Sequence, residues 1–230
     1  NISKISSIPD MTERLKKLCA FLEGCDTFID VGCDHGYCTQ YMLESGLCRR
    51  AVIADISAKS LAKAQRLLKR YIAEGVCTPV CCDGLEGVRC DGLTLIAGMG
   101  GEEIIHILSS AYIPQSFVFQ PMKNAAELRA FLLGKGCRLQ YDGLFTETRA
   151  NTVKHYFVIK GSREGGSAPY TSAQLAWGRD SLGTPELKSL LECELEKLGT
   201  YMRGGLSASS RMDVARRMDF IQGVLADEYD

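Results

Sequence analysis

Short β-branched and apolar runs alternate along this chain with helix-length stretches, and that alternation limits the fold more than any other feature. TFIDV (27–31), AVIA (51–54), VCTPVCC (76–82), LTLIA (93–97) and SFVF (116–119) read as five strands. Gly36–Ser45, SAKSLAKAQRLLKRYIAEG (57–75), Glu102–Ser110 and AAELRAFLLGKG (125–136) read as helices, with Ser57 and Asn124 as caps and Gly75 as a stop. Upstream, DMTERLKKLCAFLE (10–23) places Leu15, Leu18, Cys19 and Leu22 on one helical face, with Asp10 as its cap. Strand–helix alternation of this kind predicts a parallel sheet with helices on both faces. Two longer runs, 137–147 and 151–160, flank a turn at Thr148–Asn151 and predict an antiparallel pair that ends the sheet. A plain dinucleotide-binding sheet is parallel throughout.

GSREGGSAP (161–169) reads as a linker. Beyond it, Pro185–Met202 and Ser207–Glu228 repeat apolar residues at spacings of three and four around the break RGGLS. This predicts an antiparallel helical hairpin. The expected organisation is an α/β unit over residues 1–162 and a helical hairpin over 163–230.

Composition removes several classes of function. The 230 residues are 46% hydrophobic and 24% charged, as in globular proteins, and no apolar run reaches the roughly 18 residues a membrane span needs. NISKISSIPDMTERLKK has no apolar centre, so no secretory leader is expected there. The net charge is −1, split as +2 over residues 1–160 and −3 over 161–230, so binding to nucleic acid would depend on a local patch. The 11 cysteines form no C-x-x-C pair and read as reduced thiols in a cytoplasmic protein. Neither they nor the three histidines predict a metal site.

The chemistry concentrates in FIDVGCDHGYCTQY (28–41), a strand that turns into a helix. A nicotinamide fingerprint needs its middle glycine where the backbone meets a pyrophosphate. Here the series is Gly32, Asp34, Gly36, with a carboxylate in the middle. That carboxylate disfavours a pyrophosphate but suits a cofactor bearing an ammonium and a sulfonium, as S-adenosylmethionine does. Asp30 and Asp34 read as acceptors for its amino-acid end. Asp55 ends the second strand, where an acid receives the hydroxyls of a ribose. Asp83-Gly84 ends the third, placed to accept from an adenine amine, and Gly98-Met99-Gly100-Gly101 ends the fourth. Four such signals on successive strand ends mark one ligand-binding edge.

Together, IDVGCDHGY, ADIS, CDGLEGV, IAGMGGEEI, QPMKNAAELRAFLLGKG and HYFVIKG resemble the bacterial tRNA adenine N1-methyltransferase family, which acts at tRNA position 22. The resemblance implies a Rossmann-like class I methyltransferase domain, S-adenosylmethionine as cofactor, tRNA as partner and a C-terminal hairpin resembling a coiled coil. It maps Asp30, Gly32, Asp34, Gly36, Asp55, Asp83 and Gly98–Gly100 onto the cofactor row, with His35, Ile56, Gly84 and Met99 beside them. It also implies that Arg14 faces the active site. The family commonly continues its turn as Tyr-Leu-Pro, whereas Tyr37 is followed here by Cys38-Thr39.

Adenine N1 attacks a methyl group without prior deprotonation, so alignment and desolvation carry most of such a reaction. Asp34 is expected to bind the adenine amine or stabilise the developing cation. Tyr37 or Met99 is expected to stack on the extruded base. His35 is expected to hold the turn, His106 to be a core or surface residue of its helix, and His155 to be structural. Lys63, Arg66, Lys69 and Arg70 read as a solvated helix face, with Arg49, Arg50 and Lys123 as other phosphate candidates. A monomer is favoured. Another RNA, a protein or a small molecule as methyl acceptor, or a non-catalytic cofactor-binding module, fits the same motifs.

Overall fold

The computed structural model describes residues 11–150 and 152–229. Seven strands form one sheet: β1 (Thr27–Val31), β2 (Arg50–Asp55), β3 (Cys77–Cys81), β4 (Leu93–Met99), β5 (Ser116–Pro121), β6 (Arg138–Arg149) and β7 (Thr152–Ser162). Their spatial order is β3-β2-β1-β4-β5-β7-β6. The first five pair in parallel, and β7 pairs antiparallel with both β5 and β6. Strand order reverses direction between β1 and β4, and in open α/β sheets the ligand crevice lies outside the carboxyl ends at such a point.

Ten helical segments surround the sheet among the described residues: α1 (Glu13–Cys19), α2 (Tyr37–Glu44), α3 (Ala58–Leu67), α4 (Lys69–Ala73), α5 (Gly101–Ser110), α6 (Ala125–Gly134), α7 (Ser172–Trp177), a 3₁₀ turn at Arg179–Ser181, α8 (Pro185–Met202) and α9 (Ala208–Tyr229). None is long and apolar enough to cross a membrane. Successive strand residues point to opposite faces. Phe28, Leu95, Val118 and Val158 therefore pack with Leu18 and Met42 on one side. Ile29, Ile96, Phe117 and Phe119 pack with Ile104 and Leu128 on the other.

Several boundaries differ from the sequence reading. The cap assigned to Asp10 lies outside the described residues; Thr12 caps α1, accepting from the Leu15 N–H. Ser57 caps α3 as expected. The single helix predicted over 57–75 is interrupted at Leu68, whose backbone leaves the helical region (φ −95°, ψ 14°) while its side chain is fully buried beneath Gly36. Asn124 occupies the N-cap position of α6 in a left-handed conformation (φ 57°), but its amide donates to Glu102 Oε1 (3.2 Å) and does not cap. The stretch after the linker adds α7 and the 3₁₀ turn, which lack the length for a periodic signal.

α8 and α9 run antiparallel, since Tyr229 Oη at the end of α9 donates to Thr184 O at the start of α8 (2.8 Å). Leu187, Leu191, Ile221 and Val224 form their seam, joined by Trp177 and by Leu144 of β6. Arg129 of α6 fixes this region to the sheet. Fully buried, its Nε donates to both Asp142 oxygens (2.8 and 2.9 Å), and Nη1 donates to Leu175 O and Ala176 O (3.2 Å each). Its guanidinium also lies 4.7 Å from the Phe157 ring centre.

Candidate functional site

A cavity of about 920 Å³ opens at the carboxyl edge of β1, β2 and β4. The turn after β1 builds its floor. Gly32 (φ +69°) and Gly36 (φ +78°) adopt left-handed backbone, and a Cβ at Gly32 would collide with the Met99 methyl. The Gly32 and Cys33 N–H groups both donate to Ala54 O, at 2.8 and 3.2 Å, which ties the turn to β2. Asp34 is itself left-handed (φ 43°), a conformation that a short polar side chain tolerates.

Asp55 links the first two strand ends. Its Oδ1 accepts from the Ser57 N–H (2.8 Å) and its Oδ2 from the Asp34 N–H (3.3 Å). The carboxylate is thereby oriented along the cavity with lone pairs still available.

Asp34 is not a bare anion. Lys63 Nζ donates to its Oδ1 and His35 Nδ1 lies against its Oδ2, both at 2.8 Å. Burial is the largest single effect and raises the carboxyl pKa, but the hydrogen bonds and charges of Lys63 and His35 together outweigh it and leave the pKa lowered. The His35 ring stacks on Tyr37, 5.5 Å between centres and 7° between planes. His35 thus contacts both Asp34 and Tyr37 within the turn. Lys63 is an internal partner of the turn and no longer a free phosphate candidate; Arg49 and Arg70 pair with Asp26 and Glu74.

Asp30 is buried, and burial pushes its carboxyl up to about 6, opposed by a hydrogen bond from Thr39 Oγ1 to Oδ2 (2.7 Å). Thr39 is one of the two residues, with Cys38, at which this chain departs from Tyr-Leu-Pro, and it supplies the hydroxyl that holds this acid. The raised pKa sets a direction. Folding favours the protonated form, so the stability associated with this group is greatest near pH 4 and declines as pH rises to about 6. Asp30→Asn should therefore be more stable than the parent at pH 7.5, by up to about 3 kcal/mol, and equal to it near pH 4. Urea midpoints at the two pH values check this; a less stable variant at pH 7.5 would contradict it.

At the other end, Arg14 from α1 reaches over the Gly98 turn (φ +82°). Its Nη1 donates to Gln120 Oε1 (2.5 Å), and its guanidinium lies 5.9 Å from the Tyr156 ring centre. Glu147 Oε1 accepts from the Arg14 N–H (3.3 Å), and Oε2 accepts from Tyr156 Oη (3.1 Å). Glu147 and Tyr156 are both buried.

The cavity brings together Arg14, Asp30, Gly32, Asp34, His35, Tyr37, Asp55, Ile56, Asp83, Gly84, Gly98 and Met99. Gly36 and Gly100 lie behind its walls: Gly36 packs on Ala64 and Leu68, and Gly100 starts α5 beneath Lys123. Sequence reading missed Thr39, Glu103, Glu147, Lys154 and Tyr156; His106, read as core or surface, is exposed and also lines the cavity. Glu103 and His106 carried a signal, since they follow the GMGG turn by one helical turn. His155 is half-buried against α8, as expected of a structural residue, with its pKa lowered by burial. Among the described residues no group of three or more His, Cys, Asp or Glu side chains is placed to hold a metal ion.

Residues 11–159 match the family model described as "Methyltransferase domain". The chain belongs to this methyltransferase family. A Mycoplasma pneumoniae protein named provisionally as a tRNA methyltransferase is 37% identical over 107 residues, 46% of this chain and 50% of the relative. The match thus spans about half the length of the curated relatives. In fold, this methyltransferase resembles M. capricolum TrmK in complex with S-adenosyl-homocysteine: TM-score 0.84, 18% identity, 95% of this chain and 99% of that one. The B. subtilis m1A22 tRNA methyltransferase TrmK superposes with a TM-score of 0.78 at 19% identity, covering 94% of this chain and 99% of that one.

Proposed function

We propose that this methyltransferase transfers a methyl group from S-adenosylmethionine to N1 of an adenine in tRNA, at position 22 by its family resemblance. The observation that carries the cofactor assignment is the row of acids at successive strand ends: Asp30 in β1 and Asp34 after it, Asp55 as the last residue of β2 and Asp83 after β3, all lining one cavity. An ammonium, a ribose diol and an adenine amine each need an acceptor, and the row offers acceptors in that order. It offers no phosphate cradle.

When bound, the cofactor would supply an electrophilic methyl group. Asp30, buried and held by Thr39, would face the ammonium. Asp55 would take the ribose hydroxyls, and Asp83 with Ile56 would hold the adenine end. Gly98 lets the backbone approach the reacting centre, and Met99 covers Gly32 from above. On the acceptor side, Tyr37, pre-stacked on His35, offers a ring for the extruded base. Asp34 is placed to bind the base amine or to balance the cation formed at N1. Arg14, positioned by Gln120, contributes positive potential for the substrate strand.

The relatives' names support tRNA as the substrate class. The partition into a catalytic unit (1–162) and a helical hairpin (163–230) belongs to this reading, as do RNA binding, a cytoplasmic location and a monomer. The proposal is tested by incubating the protein with tRNA transcripts and S-adenosylmethionine and mapping 1-methyladenosine by digestion and mass spectrometry. Methylation at one D-arm adenine is expected. Cofactor binding by calorimetry without any methylated nucleoside would refute the assignment.

A further inference from the structure

The cavity is lopsided in charge. Six carboxylates line it, Asp30, Asp34, Asp55, Asp83, Glu103 and Glu147, of which Asp34 is paired with Lys63; the lining Lys and Arg side chains are Arg14 and Lys154 alone, beside His35 and His106. Such a lining suits a cationic cofactor and opposes a polyanion. An RNA strand that delivers a base into it needs a cation at the mouth. Arg14 is committed to Gln120. Lys154 is exposed and makes no ion pair among the described residues. Its cross-strand neighbour Glu147 is occupied by the Arg14 N–H and the Tyr156 hydroxyl.

Period-2 alternation along β7 places Lys154 on the same face as Tyr156 and Val158. Tyr156 and Val158 are buried in the cluster that contains α1. His155 and Phe157 face the other way, towards α8 and the hairpin seam. The result is a row at the acceptor end: Arg14, the Tyr156 ring and Lys154, with the outermost cation at the rim.

We infer that Lys154 is a positioning residue that binds a backbone phosphate next to the target nucleotide. It offsets the acidic interior at the point where the strand enters. The inference rests on the RNA-methylating reading above. Of the surface cations nominated from sequence, Lys63, Arg49 and Arg70 fit this role less well, because they are held by carboxylates.

The test compares parent, Lys154→Ala, Lys154→Glu and Lys154→Arg. It measures tRNA KM and kcat, tRNA affinity across a KCl series, and S-adenosylmethionine affinity by calorimetry. Lys154→Ala should raise the tRNA KM about fivefold and reduce the slope of log affinity against log salt by about one. Lys154→Glu should raise KM further, and Lys154→Arg should restore parent values. Cofactor affinity should stay within twofold, because Lys154 sits at the opposite end of the cavity from the adenine acids. Unchanged KM and salt slope in Lys154→Ala would overturn the inference, and so would an equal loss of cofactor affinity. Parent protein that neither binds nor methylates tRNA would overturn the functional reading itself, and this inference with it.

Discussion

Asp55→Ala is expected to lose cofactor affinity by about a hundredfold or more, since two hydrogen bonds to a charged acceptor are each worth about 1.5–3 kcal/mol. The side chain is already oriented by the Ser57 and Asp34 N–H groups, so it meets a ligand without reorganisation. Folding should change little. The two amides released are on exposed residues and can turn to water. Asp55→Asn keeps one acceptor oxygen and should fall between parent and alanine variant. Calorimetric titration with S-adenosylmethionine and a thermal melt of each variant decide this. An alanine variant that binds within threefold of the parent would remove Asp55 from the site.

The second large effect is on stability. Arg129→Met should cost about 3–5 kcal/mol, because it leaves the Asp142 carboxylate buried without its partner. For a chain of this length that lowers Tm by roughly 10 °C. It also frees Leu175 O and Ala176 O, so α7 should become an early site of proteolytic cleavage. Arg129→Met combined with Asp142→Leu removes both charges and should recover much of the loss, since an apolar replacement of a buried pair is often neutral or better. Melts of the single and double variants test this. A single variant within 1 kcal/mol of the parent would show that the pair does not hold the hairpin region to the sheet.

The acids at strand ends were legible because a carboxylate in the last positions of an apolar run, or just after it and before a helix, sits on the carboxyl edge. Asp30, Asp55 and Asp83 needed no tertiary information beyond that. The other half of the site was not legible. Glu147 meets Arg14 across 133 residues, and nothing local marks either as a partner of the other. Tyr156 and Lys154 belong to a strand whose place in the sheet cannot be deduced from its own pattern. Arg129 sits in AAELRAFLLG, where it looks like one more solvated charge; its burial depends on α7, a helix too short to announce itself. Asp34 stands out in the sequence as an acid inside a glycine turn, but its neutralising contact with Lys63 lies 29 residues away.

The place of β7 bears on how the molecule is made. Among the described residues, β7 is the last strand, lies between β5 and β6 and is the only bridge between them. Until residues 152–162 are synthesised, β5 has an unpaired edge and β6 has no neighbour in the sheet. Closure is therefore a late, non-local event, with Ser116 waiting for Ser162. A nascent or truncated chain that ends before β7 presents an open, apolar parallel sheet edge, the kind of surface that recruits other chains. Fragments that stop short of residue 162 should accumulate as aggregates, whereas loss of the hairpin beyond it should leave a closed sheet.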